Sequence, residues 1–229
     1  MGPTTRPTPS AGTESARRQT PSAGAEPATR LTPKGAATRA RIVEAAADLV
    51  LARGVGATTL DDIRAGTQTS KSQLFHYFPG GKTDLVGAIA SFQSQRVLDA
   101  QRPSLDALDS WQAWDDWRAA ILAHYGSQAH WGCPIGALAS ELAGSDPVRA
   151  AEVAASMDHW RGYLRAGLTR MVDAGLLRPD ADPETLSLGT FAALQGGLLL
   201  TQTMESIKPL EAALDGALAA LRARRTAPD

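Results

Sequence analysis

Apolar residues recur along most of the chain at helical spacing. No stretch shows sustained alternation with a period of two, and no hairpin turn sits between β-branched runs, so the pattern predicts an all-α protein. A first helix is expected from about Ala36 to Arg53, with Ile42, Ala45, Ala46 and Leu49 on one stripe and Gly54 as its stop. Thr58 or Thr59 can cap a short second helix, whose first turn holds Asp61 and Asp62 where the helix dipole favours carboxylates. Leu60 and Ile63 give that helix a buried face. Ser70 can cap a third, Lys71 to about Tyr77, with Leu74 and Phe78 pointing inward and Pro79-Gly80-Gly81 ending it. A long fourth helix begins near Lys82, with Leu85, Ile89 and Phe92 at core spacing.

Proline and aspartate punctuate the rest of the chain. Further helices are expected at roughly 110–129, 135–143, 147–174, 183–205 and 209–224. Asp146 before Pro147 and Asp182 before Pro183 mark the sharpest starts, because the carboxylate accepts orphan N–H groups and proline has none to leave unpaired. Residues 1–33 break the pattern: they hold six prolines, seven threonines, three serines and three glycines, with Met1 and Leu31 as the only large apolar residues. Such a segment buries too little surface to offset the entropy of ordering, and it reads as a disordered tail. The chain thus divides into a tail (1–33), a three-helix unit (34–82) and a larger helical unit (83–229).

Three short helices, the second and third joined by a tight turn and followed by a long one, are the geometry of a helix-turn-helix DNA reader. The stretch Thr58-Thr59-Leu60-Asp61-Asp62-Ile63, followed by Ser70 through Lys82 (Ser-Lys-Ser-Gln-Leu-Phe-His-Tyr-Phe-Pro-Gly-Gly-Lys), resembles the signature of TetR-type transcriptional repressors. The resemblance covers about residues 36–90 by motif and the remainder by helix pattern and length. One extra glycine before Lys82 is similar to a branch that includes drug-responsive efflux repressors, the LmrA/YxaF-like group. The resemblance implies a cytoplasmic homodimer that binds a palindromic operator in double-stranded DNA and a small apolar or aromatic effector in its C-terminal unit. It implies no cofactor, no metal and no enzymatic activity.

Side chains near the start of the third helix are those that reach base edges in the major groove, which selects Lys71, Ser72 and Gln73. Thr59, Ser70, His76, Tyr77 and Lys82 resemble positions that hold the DNA backbone. Two departures from the family pattern stand out. Gln68 replaces the usual turn glycine, where a positive φ costs a side-chain residue strain. Phe75 replaces a tyrosine that commonly bonds a phosphate, so it packs but cannot donate. Both also favour a second reading, an all-α ligand-binding or scaffold protein whose third helix no longer reads DNA.

A net charge of −1 looks indifferent to DNA until it is resolved by segment. The tail carries four basic and two acidic residues, the three-helix unit seven and four, and the remainder twelve and eighteen, giving +2, +3 and −6. The basic part coincides with the motif. In the C-terminal unit, Trp117, Ile121, Tyr125, Met157, Trp160 and Gln195 are candidates for lining an apolar pocket. Phe191, Leu194 and Leu198 on one helix, with Leu214 and Leu218 on the next, form stripes suited to a dimer interface, and Gly196-Gly197 suits close backbone approach. The single cysteine, Cys133, excludes an internal disulfide and fits a reducing cytoplasm; a nucleophile there would define a third, enzymatic reading. No apolar run approaches the roughly 20 residues that span a bilayer, and no apolar segment follows the N-terminal arginines to make a secretory signal.

Overall fold

The computed structural model describes residues 31–128 and 130–226. Residues 1–30, most of the stretch read above as a disordered tail, lie outside the described residues. The described chain is helical: α1 (Pro33–Arg53), α2 (Leu60–Thr67), α3 (Lys71–Tyr77), α4 (Lys82–Asp99), α5 (Trp111–Gly126), α6 (Pro134–Leu142), α7 (Pro147–Asp173), α8 (Pro183–Met204) and α9 (Lys208–Arg222). A single 3-10 turn, Ser104–Ala107, bridges α4 and α5. None of the described helices is long and apolar enough to cross a membrane.

Helix α1 starts one turn earlier than the apolar pattern predicts. Thr32 accepts the N–H of Gly35 at 3.1 Å and Pro33 takes the first helical position, the same hydroxyl-or-carboxylate-plus-proline start used at Asp146-Pro147 and Asp182-Pro183. Helices α1 to α3 wrap Ile42, Ala46, Ile63, Leu74 and Phe78 into a small core, and Leu85 and Ile89 of α4 continue it into the body. Here α5, α7, α8 and α9 enclose an aromatic centre: Trp114 meets Trp117 edge-on at 5.5 Å, and Trp160 meets Phe191 at 5.2 Å.

Two polar joints tie the head to the body, at Glu141 and Arg96, and a third, at Arg149, ties the start of α4 to α7. The Glu141 carboxylate at the end of α6 accepts the N–H groups of Val55 and Gly56 at 2.6 and 3.2 Å, reaching the α1–α2 loop. Arg149 on α7 bonds Glu152 at 2.6 Å and stands 3.9 Å from Asp84 on α4. Arg96 on α4 stands 3.9 Å from Asp48 on α1.

The stripe of Phe191, Leu194, Leu198, Leu214 and Leu218, expected to meet a partner, is buried inside the chain. Gly197 explains why: a Cβ there would stand 2.9 Å from that of Ala213 and 3.1 Å from the Cα of Leu210, so the close approach is between α8 and α9 of one chain. The opposite face of α8 is the exposed one, with Leu188, Leu199, Leu200 and Met204 in solvent.

Candidate nucleic-acid interface

Buried hydroxyls build the turn that aims α3. Thr58 donates to the Gly54 carbonyl at 2.7 Å, Thr67 donates to the Ile63 carbonyl at 2.7 Å, and the Thr67 and Thr69 hydroxyls meet at 2.8 Å. Arg41 donates to the carbonyl of Thr67 at 2.6 Å, anchoring the end of α2 to α1. Between these supports Gln68 takes the left-handed conformation, φ 53° and ψ 39°, which a glycine adopts without strain. Pattern reading offered Thr58 only as a cap candidate and passed over Thr67 and Thr69; two threonines flanking a positive-φ position were the available signal.

Helix α3 has seven residues and two faces. Leu74 and Phe78 are buried, Tyr77 is half-buried, and Lys71, Ser72, Gln73, Phe75 and His76 are exposed. Helical spacing stacks His76 one turn below Ser72, in the middle of the exposed face. Ser70 accepts the N–H of Gln73 at 3.1 Å and keeps its hydroxyl hydrogen free to donate. Phe75, 39% exposed, lies beside Leu60 and Gly81 at the rim of that face.

Thr59 does not stand ready for a phosphate. Its N–H and its hydroxyl both donate to Asp62, at 2.9 and 2.5 Å, while its oxygen accepts the Asp62 N–H at 3.1 Å. This reciprocal cap holds the Asp62 carboxyl below the usual carboxylate range, chiefly through the Thr59 hydroxyl. The family resemblance implied a DNA-backbone contact for Thr59; in the structure its donors are committed to capping the helix start.

At the other end of the motif, Gly81 has φ +67° and offers no side-chain cap to α4, so the first N–H groups of an 18-residue helix open beside Lys82. Gly80 has its own reason to be glycine: its N–H bonds Asp84 at 2.7 Å, and a Cβ there would stand 2.5 Å from that carboxylate. The doubled glycine is therefore a structural device at the α3–α4 corner. Among the head's basic residues, Arg53 and Arg64 pair with Asp62 and Asp61, Arg41 holds α2, and Arg39 lies over the Phe78 ring at 5.1 Å. Like Arg39 and Arg41, Lys34, Lys71 and Lys82 have no ion-pair partner among the described residues, and only the three lysines are also free of another internal contact of their charged group.

The body's six pocket candidates are core residues in this structure. Trp117, Ile121, Tyr125 and Trp160 are buried, Met157 and Gln195 are half-buried, and none of the six lines either of the two larger concavities. Two of them share a partner that pattern reading missed. The Gln101 carbonyl oxygen accepts both the Trp117 and Trp160 indole N–H groups, at 2.8 and 2.9 Å, and its amide donates to the Val97 carbonyl at 2.6 Å. Indole nitrogens only donate, which fixes the orientation of that amide. Cys133 lies near Tyr125 and Gln195, and burial pushes its thiol and the Tyr125 phenol up, leaving both protonated. A protonated, buried thiol is a packing group and a poor nucleophile.

The larger concavities sit on the joint between head and body. One, about 820 Å³, is an open groove among α1, α4 and α7 beside Arg39, Asp84 and Arg149. The other, about 590 Å³, is a cleft under the end of α5, with Asp48 of α1, Gln93 and Arg96 of α4, His124, Gln128 and His130 around it. Burial, and then Arg96, hold His124 below the ordinary histidine range.

Two family models match the chain: "Bacterial regulatory proteins, tetR family" over residues 42–89 and "Tetracyclin repressor-like, C-terminal domain" over residues 111–217. An uncharacterized HTH-type transcriptional regulator of Mycobacterium tuberculosis is 29% identical over 182 residues, covering 76% of this chain and 88% of that one. The HTH-type regulator YxaF of Bacillus subtilis is 26% identical over 183 residues, covering 76% and 89%. A TetR transcriptional regulator from Chloroflexus aurantiacus superposes with a TM-score of 0.74 at 24% identity, covering 86% of this chain and all of that one.

Proposed function

The chain belongs to the TetR family of DNA-binding transcriptional regulators, and from that premise we propose that it is a homodimeric, cytoplasmic repressor released from a palindromic operator by a small effector. The observation that carries the reading is the exposed face of α3, polar and free of internal partners, with the open N-terminus of α4 and Lys82 beside it. Lys71, Ser72 and Gln73 read base edges: Gln73 suits adenine N6 and N7, Lys71 suits guanine O6 and N7, and Ser72 discriminates weakly. His76 joins them from the next turn. Ser70, Tyr77 and Lys82 hold phosphates, with the α4 N–H groups behind Lys82.

The doubled glycine and the similarity to YxaF support the drug-responsive branch. Dimerisation follows from what α8 leaves uncovered. Seven large apolar residues are conspicuously exposed in the described chain, and four of them, Leu188, Leu199, Leu200 and Met204, lie on α8. Pairing this face with its own copy buries it and sets two α3 helices on successive major grooves.

Fluorescence anisotropy with DNA from the protein's own upstream region tests the reading. Sequence-dependent binding that weakens steeply with salt is expected; binding that ignores both sequence and salt sinks it and leaves the scaffold reading.

A further inference from the structure

Helix α4 carries an anomaly on its buried side. Leu85, Ile89 and Val97 form a stripe at steps of four, and the position between the last two is Gln93. Its residue exposure is 2%, and its amide is not among the fully buried side-chain atoms left unpaired, so the little that Gln93 exposes includes its amide. An amide set on an apolar stripe but open to a cleft takes its hydrogen bonds from whatever occupies that cleft. Gln93 forms part of the wall of the cleft under α5, where the exit from the core is.

Arg96 lies one turn further along α4 and opens into the same cleft. Its internal partner, the Asp48 carboxylate, is 3.9 Å away, and both side chains are half or more exposed. That is a long, solvent-screened pair of small worth. A carboxylate gripped by both guanidinium N–H groups at about 2.8 Å is stronger. Leu51, Val97 and Pro134 supply apolar wall, and the volume falls within the range of small-molecule sites.

We propose that this cleft is the effector site and that it takes a small carboxylate with an apolar body, bound by Arg96 in place of Asp48 and by the Gln93 amide. The assignment rests on the operator-binding, effector-released reading above. Binding there uncouples Arg96 from α1, the helix on which α2 and the α3 turn are mounted, and so acts at the joint between the two units. Linkage then requires that operator binding weaken effector binding by the same factor.

Calorimetric titration with naphthoate, and with naphthamide as its neutral isostere, tests the site. Wild-type protein is expected to prefer naphthoate by roughly tenfold or more, and Arg96→Gln to bring the two within about twofold. Gln93→Leu weakens both ligands, while Asp48→Asn, which removes the internal competitor, tightens naphthoate alone. Equal binding of the two ligands, binding of neither, or a preference unchanged in Arg96→Gln overturns the assignment. Operator affinity measured on the same samples without naphthoate keeps the two readings apart: failure in the cleft with operator binding intact removes the effector site and leaves the regulator.

Discussion

Helices α3 and α8 obey one rule and arrive at opposite surfaces. Each buries an apolar stripe, Leu74 and Phe78 in α3, Leu194 and Leu198 in α8, and each leaves a second face without an internal partner. On α3 that face is Lys71, Ser72, Gln73 and His76; on α8 it is Leu188, Leu199, Leu200 and Met204. What a helix has left over after folding indicates what it meets next. Donors and a cation suit a polyanion with hydrogen-bonding edges, whereas leucines in water suit a second apolar surface, and a two-fold copy supplies one.

The hardest way to break that comparison is to put charge on α8. Leu199→Glu combined with Met204→Glu is expected to leave the melting temperature near that of the wild type, since both residues are exposed, and to abolish the dimer in sedimentation velocity. Operator affinity then falls by about 100-fold or more, because two linked half-site contacts become one. Leu198→Ala, one residue away on the buried face, should do the reverse: a loss of about 2–5 kcal/mol in denaturant unfolding, with the folded fraction still dimeric. If Leu198→Ala dissociates the protein and the double variant does not, the faces have been assigned backwards.

That same contrast explains what pattern reading reached. Amphipathic helices were legible: α2, α3 and α9 each have one apolar side, and the ends of the first two were marked by Thr59, Ser70 and the Pro79-Gly80-Gly81 stop. Helix α8 is apolar nearly all round, so periodicity could find its stripe but not say which side met the chain and which met solvent. The 3-10 turn that buries Leu105 and Leu108 was invisible because four residues carry no period. Gln101 gave no signal either, since a lone glutamine past a helix end acquires meaning only when two distant tryptophans converge on it. Gln93 did carry one: a polar residue on the Leu85–Ile89–Val97 stripe is a local contradiction of the kind that marks a site.

On α3, two substitutions separate reading from holding. Gln73→Ala should cost about 1–3 kcal/mol on the preferred operator and flatten its discrimination at one base pair. Lys82→Ala should weaken every duplex alike and lower the slope of log affinity against log salt by about one. Competition anisotropy across single-base operator variants at several salt concentrations distinguishes the two; identical profiles would show that the division of roles is wrong. Smaller still is the effect at the turn. Gln68→Gly relieves a left-handed side-chain residue and should stabilise the head by about 1 kcal/mol, seen as a raised denaturation midpoint with operator preference unchanged. A lowered midpoint would mean that the Gln68 side chain contributes more than its strain costs.

The finest effect concerns Asp62, which holds the start of the motif without facing DNA. Its carboxyl is depressed chiefly by the Thr59 hydroxyl, so the charged form stabilises the folded head above the unfolded-state value, and that stabilisation disappears as pH falls through the folded one. Asp62→Asn keeps a cap acceptor but loses the charge that meets the Thr59 N–H and the helix dipole. Its melting temperature should therefore lie slightly below the wild type at neutral pH, by the same margin down to about pH 5, and converge with it only as pH falls below the ordinary carboxylate range through the depressed folded-state value. A gap that persists unchanged into acid would assign the cap's value to hydrogen-bond geometry alone, and the charge at the N-terminus of α2 would then be as incidental to the head as the total of −1 is to the whole chain.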